Sequence, residues 1–187
     1  MSDRLFSPEK AEKLLSDDRQ KTVPVDQIIK LLDLQGNEKI ADLGAGNGYL
    51  TLPLAQATKE RVTAVDLQME MLDMLAARAE SEGLDNIERM ESGIEKLNFP
   101  DGSFERAVTA FVLHEVSDLE QTLKEVDRVL NENGKLLILD WEKRDSDQGP
   151  PLNHRISSED MAKAASKQGF KLETGHLNEN VYYILAQ

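Results

Sequence analysis

Lys39-Ile-Ala-Asp-Leu-Gly-Ala-Gly-Asn-Gly-Tyr-Leu-Thr51 reads as strand, turn and helix in succession. Ile40, Ala41 and Leu43 suit a short buried strand, Gly44, Gly46 and Gly48 punctuate a turn, and residues 49–58 follow as a helix. Glycine serves such a turn because it reaches positive φ without a Cβ clash and lets backbone N–H groups approach a ligand at a helix N-terminus. The spacing narrows the ligand. A dinucleotide-binding turn carries G-x-G-x-x-G, whereas here the third glycine arrives one residue early. The strand also ends in an acid, Asp42, two residues before the first glycine. A carboxylate there is poorly placed for a pyrophosphate and well placed for a ligand bearing an ammonium group.

Outward from this segment, strands and helices alternate. Ser7-Pro8-Glu9 is a helix start, with serine as cap and proline at the first position, for a helix over 7–17. Val25, Ile28, Ile29, Leu31 and Leu32 recur at helical spacing in 23–34. Strands are expected at 61–66, 86–90, 104–111 and 134–140, and helices at 69–82, 118–130 and 157–168. A closing strand pair is expected at 170–176 and Val181–Ala186. The middle strands are apolar on both faces, which predicts an α/β fold: a parallel, doubly wound sheet with helices on each side. Ligands of such sheets sit beyond the C-terminal strand ends, near the topological switch point. That directs attention to Asp42, Asp66 and residues 91–94, 111–115 and 140–142. No internal repeat or linker divides the sequence, so 1–187 is expected to be one domain. Its N-terminal helices (1–35, with Phe6, Leu14 and Leu15) are a candidate lid over a core at 36–187.

Composition sets outer limits. The 187 residues are enough for a full hydrophobic core, and the net charge of −13 without a Lys/Arg cluster argues against a nucleic-acid partner. The lack of cysteine excludes disulfides, thiolate metal sites and cysteine nucleophiles, and fits a cytoplasmic protein. No basic-then-apolar leader and no apolar run near ~20 residues is present, so no membrane association is expected. The three histidines are isolated, without metal-ligand spacing, so no metal is expected.

Asp66 lies twenty-four residues after Asp42, at the end of the second strand. A carboxylate there can accept from both hydroxyls of a ribose, at roughly 1.5–3 kcal/mol for each charged hydrogen bond. It could instead cap the helix beginning near Met69. The ribose reading suits either adenosine cofactor, NAD or S-adenosylmethionine.

The pattern Asp42-x-Gly-x-Gly-x-Gly48 resembles the first motif of class I S-adenosylmethionine-dependent methyltransferases of the small-molecule, type 11-like branch. The segment Gly93-Ile-Glu-Lys-Leu-Asn-Phe-Pro-Asp-Gly-Ser-Phe104 is similar to the family's run under the adenine. There the family commonly places an acid where this chain has Gly93, with Glu91 and Glu95 nearby as substitutes and the Ile94 N–H as a backbone contact. Phe111-Val-Leu-His-Glu-Val-Ser-Asp118 resembles the family's segment after the fourth strand in small-molecule methylases. The Asn/Asp-Pro-Pro-Tyr/Phe of nucleic-acid and glutamine methylases is absent, and Pro150-Pro151 lies elsewhere. Asn131-Glu-Asn-Gly-Lys-Leu-Leu-Ile-Leu-Asp-Trp141 is similar to the family's approach to its fifth strand.

The resemblance implies a Rossmann-like seven-stranded sheet of order 3-2-1-4-5-7-6 with the last strand antiparallel. It also implies methyl transfer from S-adenosylmethionine to a small-molecule O, N or C nucleophile, leaving S-adenosylhomocysteine. In that setting Asp42, Gly44, Ala45, Gly46 and Gly48 hold the methionine arm, and Asp66, Leu67 and Met69 the ribose and its surroundings. Gly93 and Ile94 lie along the adenine, Phe111 and Val112 close over the cofactor, and His114 is the candidate general base. Asp140, Trp141 and Glu142, with the His154–Arg155 pair of an irregular loop, would face the substrate. The alternatives are a non-catalytic S-adenosylmethionine-binding module and an NAD-dependent oxidoreductase. The early third glycine, Asp42 and the lack of a Tyr-x-x-x-Lys pair speak against the latter. Acceptor identity and oligomeric state are left open.

Overall fold

The segment around the three glycines forms β1 (Ile40–Leu43), an irregular turn, and α3 (Thr51–Ala57) in the computed structural model, which describes residues 15–187. Before it come α1 (Asp17–Thr22) and α2 (Val25–Leu32). After it come β2 (Val62–Asp66), α4 (Met69–Ser81), β3 (Ile87–Glu91), β4 (Phe104–Ala110), α5 (Leu119–Val129) and β5 (Leu130–Trp141). A 3-10 turn at Leu152–His154 precedes α6 (Ser158–Lys167), and β6 (Leu172–Asn178) with β7 (Val181–Ala186) closes the chain.

The strands form one sheet in the order β3-β2-β1-β4-β5-β7-β6. The first five run parallel, while β7 is antiparallel to both β5 and β6. Both the sheet class and the order match the expectation. Chain direction across the sheet reverses between β1 and β4, whose register pairs Asp42 with Val108. The switch point therefore lies directly over Asp42 and the glycine turn.

Side-chain alternation sorts the core into two layers. Ala41, Leu43, Ala107, Leu136 and Ile138 face Leu123 and Val126 of α5 and Met161 and Ala165 of α6. Ile40, Val62, Val108, Leu137 and Leu139 face Ile28 and Leu32 of α2 and Leu54 of α3. A smaller cluster joins Leu52 of α3 to Leu72 and Leu75 of α4. At roughly 25 cal/mol per Å² of apolar surface, burial of these side chains dominates the stability. Among the described residues, no helix is long and apolar enough to cross a membrane.

Several boundaries differ from expectation for identifiable reasons. The helix expected over 7–17 lies mostly outside the described residues. A separate helix, α1, begins where it was to end, because Ser16 accepts the Arg19 N–H and acts as a cap. The Asn131-Glu-Asn-Gly134 turn is an irregularity within β5: Phe104 pairs with Leu130, then Arg106 with Lys135. The lid reading divides. Phe6 and Leu14 lie outside the described residues and Leu15 is half-buried, but Ile28 and Leu32 of α2 are fully buried. The Leu32 carbonyl also accepts from Arg106 Nε at 2.7 Å. Helix α2 is thus packed into the core.

Candidate active site

Gly44, Gly46 and Gly48 all have positive φ, from 55° to 86°. At Gly44 a Cβ would lie 2.2 Å from Cγ2 of Val112, so only glycine lets the turn press against the segment after β4. The N–H groups of the turn point inward. Gly44 and Ala45 both donate to the Val65 carbonyl (2.7 and 3.0 Å), Gly46 to Asp66 Oδ2 (2.8 Å) and Gly48 to the Ala45 carbonyl (3.0 Å). These four donors are engaged within the protein, so the turn does not offer the cradle that a pyrophosphate requires. That argues against the dinucleotide alternative on geometry as well as spacing.

Asp42 is almost fully buried beneath the turn, where Oδ2 accepts from the Thr51 hydroxyl at 2.6 Å. Burial pushes its carboxyl up to about 7, opposed by the Thr51 hydrogen bond and reinforced by the charge of Asp66. Asp66 ties two loops together, Oδ2 accepting from Gly46 and Oδ1 from the Gln68 N–H at 2.9 Å. Its carboxyl is also raised, by burial, against those backbone hydrogen bonds. The capping and ribose readings are compatible here, since each carboxylate oxygen has a second lone pair.

Beyond Asp66 the surface becomes apolar. Leu67 and Met69 are 56% and 44% exposed, and Leu67 lies against Gly93 at van der Waals distance from where a Cβ would be. Ile94 is buried in the core cluster. Glu95 is no substitute for the usual adenine-side acid: its Oε1 accepts from the Ser117 hydroxyl (2.6 Å) and the Ser117 and Asp118 N–H groups, holding the approach to α5. Those bonds, the Ser117 hydroxyl first, keep its carboxyl below the usual range.

The segment after β4 turns sharply at Phe111, a non-glycine residue with φ 63°, whose N–H donates to the Leu139 carbonyl at 2.8 Å. Such a conformation costs of order 1–3 kcal/mol and clusters at functional sites. Here it sets the Phe111 ring against Trp141 of β5, with centroids 4.9 Å apart. Three residues on, the buried His114 places Nδ1 2.7 Å from Asp140 Oδ1, which also accepts the Trp141 N–H at 2.8 Å. A carboxylate in that position favours the tautomer protonated at Nδ1 and leaves Nε2 as the basic nitrogen. Nε2 lies 3.9 Å from Glu115 Oε1. Burial alone would lower the His114 pKa, but the Asp140 hydrogen bond and the Asp140 and Glu115 charges outweigh it, and the net shift is upward. Burial raises the Glu115 carboxyl to about 7, opposed by His114 and reinforced by Asp140 and Asp66. Asp42, Asp66, Glu115 and Asp140 thus lie within electrostatic reach of one another as an acidic cluster at the C-terminal strand ends about the switch point.

The loop after β5 departs from expectation. Arg155 is buried, donating through Nε to the Pro150 carbonyl and through its other nitrogens to the carbonyls of Glu142, Arg144 and Gln148. It organises the loop, lies 5.9 Å from the Trp141 ring centre, and its charge acts on His114. Glu142 is turned away, accepting from the Ser158 N–H and meeting His176 Nε2 at 2.9 Å. His154 is half-buried in the 3-10 turn, and of the expected substrate-side residues Asp140 and Trp141 meet the segment after β4, through His114 and Phe111. Among the described residues no cluster of three His, Cys, Asp or Glu side chains is arranged for a metal ion.

Two participants were not legible in the sequence. Tyr49 follows the glycine turn and donates its hydroxyl to the Val23 carbonyl at 2.7 Å. Arg19 of α1 stacks over the Phe111 ring at 4.1 Å and lies 5.5 Å from the Tyr49 ring centre. The polar residue at 19 in a short, charge-rich helix carried no signal, because its partners lie thirty or more positions away.

A family model described as "Methyltransferase domain" matches residues 41–138. The chain is 30% identical over 113 residues to the uncharacterized methyltransferase YcgJ of Bacillus subtilis (strain 168), covering 60% of this chain and 44% of that protein. It is 34% identical over 142 residues to the ubiquinone/menaquinone biosynthesis C-methyltransferase UbiE of Sinorhizobium fredii (strain NBRC 101917 / NGR234), covering 74% and 53%. The chain therefore spans about half the length of these curated relatives. A SAM dependent methyltransferase from Aquifex aeolicus superposes with a TM-score of 0.90 at 26% identity, over 97% of this chain and 98% of that one. The family match covers the glycine turn, Asp66 and the segment after β4, and by it the chain belongs to the methyltransferase-domain family of class I S-adenosylmethionine-dependent enzymes.

Proposed function

We propose that this protein transfers a methyl group from S-adenosylmethionine to a small molecule whose nucleophile still carries its proton at neutral pH, such as a phenolic or enolic acceptor. The carrying observation is the buried His114–Asp140 pair at 2.7 Å beside the strained turn at Phe111. An amine that is already free needs no base, whereas a hydroxyl or an acidic carbon does.

The site suits the cofactor chemically. Burial disfavours the charged forms of Asp42 and Asp66 in the free protein, and a bound cation would stabilise them; Asp66 retains acceptor capacity for ribose hydroxyls, and exposed Leu67 and Met69 offer apolar surface to a flat base. Bound there, the cofactor supplies an electrophilic methyl group on a sulfonium. The chain's own work is orientation and proton management. Phe111, Val112 and Trp141 wall the end of β4 and β5 and exclude water from the acceptor, and alignment of this kind can supply ~7–11 kcal/mol. Asp140 holds the His114 ring so that Nε2 can take the acceptor's proton, and the neighbouring Glu115 carboxyl stabilises the imidazolium that results. The kinship with a C-methyltransferase of quinone biosynthesis supports an acidic aromatic acceptor.

Incubation with methyl-labelled S-adenosylmethionine and matched phenols, hydroxyquinones and amines tests the reading. Label transfer to the hydroxylated acceptors, abolished by H114Q, is expected. Transfer to amines alone, unaffected by H114Q, would replace the base-assisted mechanism, and cofactor binding without turnover on any acceptor would favour a non-catalytic binding module.

A further inference from the structure

Among the described residues, Arg19 brings to this site a charge that the reaction above does not use. Its guanidinium roofs the switch point, resting on Phe111 after β4 and beside Tyr49 after the glycine turn. Nε is buried and has no hydrogen-bond partner, and among the described residues no carboxylate forms an ion pair with it. Burial lowers its pKa to about 10, so it stays a cation at neutral pH. A buried cation without a counter-ion is costly, and stacking on an aromatic face leaves the in-plane N–H donors free at the guanidinium edge. The side chain is therefore poised for an anion.

The charges of the site indicate which anion. S-adenosylmethionine carries a sulfonium, an ammonium and one carboxylate. The acidic residues Asp42, Asp66 and Glu115 suit the first two and repel the third. The other arginines nearby are engaged: Arg78 donates to the Asn47 carbonyl at 2.6 Å, and Arg155 to its four loop carbonyls. We propose that Arg19 receives the α-carboxylate of the methionine arm, so that α1 closes the cofactor site as well as bordering the acceptor. This assignment rests on the cofactor reading above.

Calorimetric titration of S-adenosylhomocysteine and of 5′-methylthioadenosine, which keeps the thioether nucleoside but lacks the amino-acid arm, tests it without turnover. Two variants are compared with the wild type: R19M, which keeps an apolar stem between the two rings, and R19K, which keeps the charge. The wild type should prefer S-adenosylhomocysteine. R19M should weaken that ligand by about 10- to 100-fold, as expected for loss of a charged hydrogen bond, and leave methylthioadenosine within about twofold. R19K should fall between. Equal weakening of both ligands would make Arg19 a structural residue and overturn the proposal. Unchanged S-adenosylhomocysteine affinity would also overturn it and transfer the anion to the acceptor. If R19M does not fold, R19K decides: it must weaken S-adenosylhomocysteine selectively, and unchanged or equal affinities overturn the assignment. A wild type that binds neither ligand refutes the underlying cofactor reading instead.

Discussion

Replacing Asp42 by asparagine should make the ligand-free protein more stable, and increasingly so as pH rises. Asp42 is 2% exposed, and its carboxyl is raised from 3.8 to about 7, chiefly by burial. A carboxyl whose pKa is higher in the folded state binds its proton more tightly there than in the unfolded chain. Below pH 4 both states are protonated and there is no penalty. Between about 4 and 7 folding must increasingly hold a proton that the unfolded chain releases. Above 7 the folded state holds a bare buried charge, and the full penalty applies. A difference of about 3 pKa units at 1.36 kcal/mol each sets that penalty at about 4 kcal/mol. About 2 kcal/mol of it is already present at pH 5, so the stability gap between D42N and wild type should widen by roughly 2–3 kcal/mol from pH 5 to pH 8. Any constant cost of the asparagine, including an imperfect bond to Thr51, cancels in this difference. Urea unfolding at both pH values, with matched m-values, measures the gap directly. In a thermal scan it corresponds to about 4–12 °C of extra separation. A gap that stays flat within 0.5 kcal/mol would show that Asp42 does not carry a buried charge in the folded protein. The same variant should bind S-adenosylhomocysteine more weakly, since the group that destabilises the free protein is the proposed counter-charge for the ligand.

Four further perturbations address other parts of the site. G44A should destabilise the fold by about 2–4 kcal/mol through its clash with Val112 and its positive φ, and adding V112A should relieve the clash and leave about 1 kcal/mol of backbone strain, measurable in a double-mutant cycle. H114Q should lower methyl transfer by about 10²–10⁴-fold with S-adenosylhomocysteine affinity nearly unchanged, and an equal loss of binding would recast His114 as a structural residue. Activity of the wild type should rise with pH along a limb lying above the ordinary histidine value, because Asp140 favours the imidazolium. D140N should move that limb to lower pH while reducing the rate, and an unmoved limb would remove Asp140 from the mechanism. D66A should weaken S-adenosylhomocysteine about tenfold or more and unfasten the Gly46 and Gln68 N–H groups, and unchanged affinity would end its ribose assignment.

Most of the sheet was legible because its determinants are local. Alternating apolar strands and capped helices have short periods, and a turn with three glycines can be read from adjacent residues. Strand order came from the family resemblance, and β7 and β6 appear where their alternation puts them. Boundaries were less legible where a neighbour decides them: the Asn131–Gly134 turn is absorbed into β5 because Leu130 pairs with Phe104.

The sequence by itself determined which acids end β1 and β2, where the backbone could come close, and that the cofactor turn was not of the dinucleotide type. Those properties depend on residue types at fixed short spacings. Only the tertiary structure decided what each polar side chain meets. It joined His114 to Asp140 across 26 positions, brought Arg19 over Phe111, and set Arg155, Glu142 and Glu95 to hold loops and helix ends. The reason is physical: the period of a strand or helix is set within a few residues, whereas the pKa and partner of a buried group depend on how distant segments are packed around it.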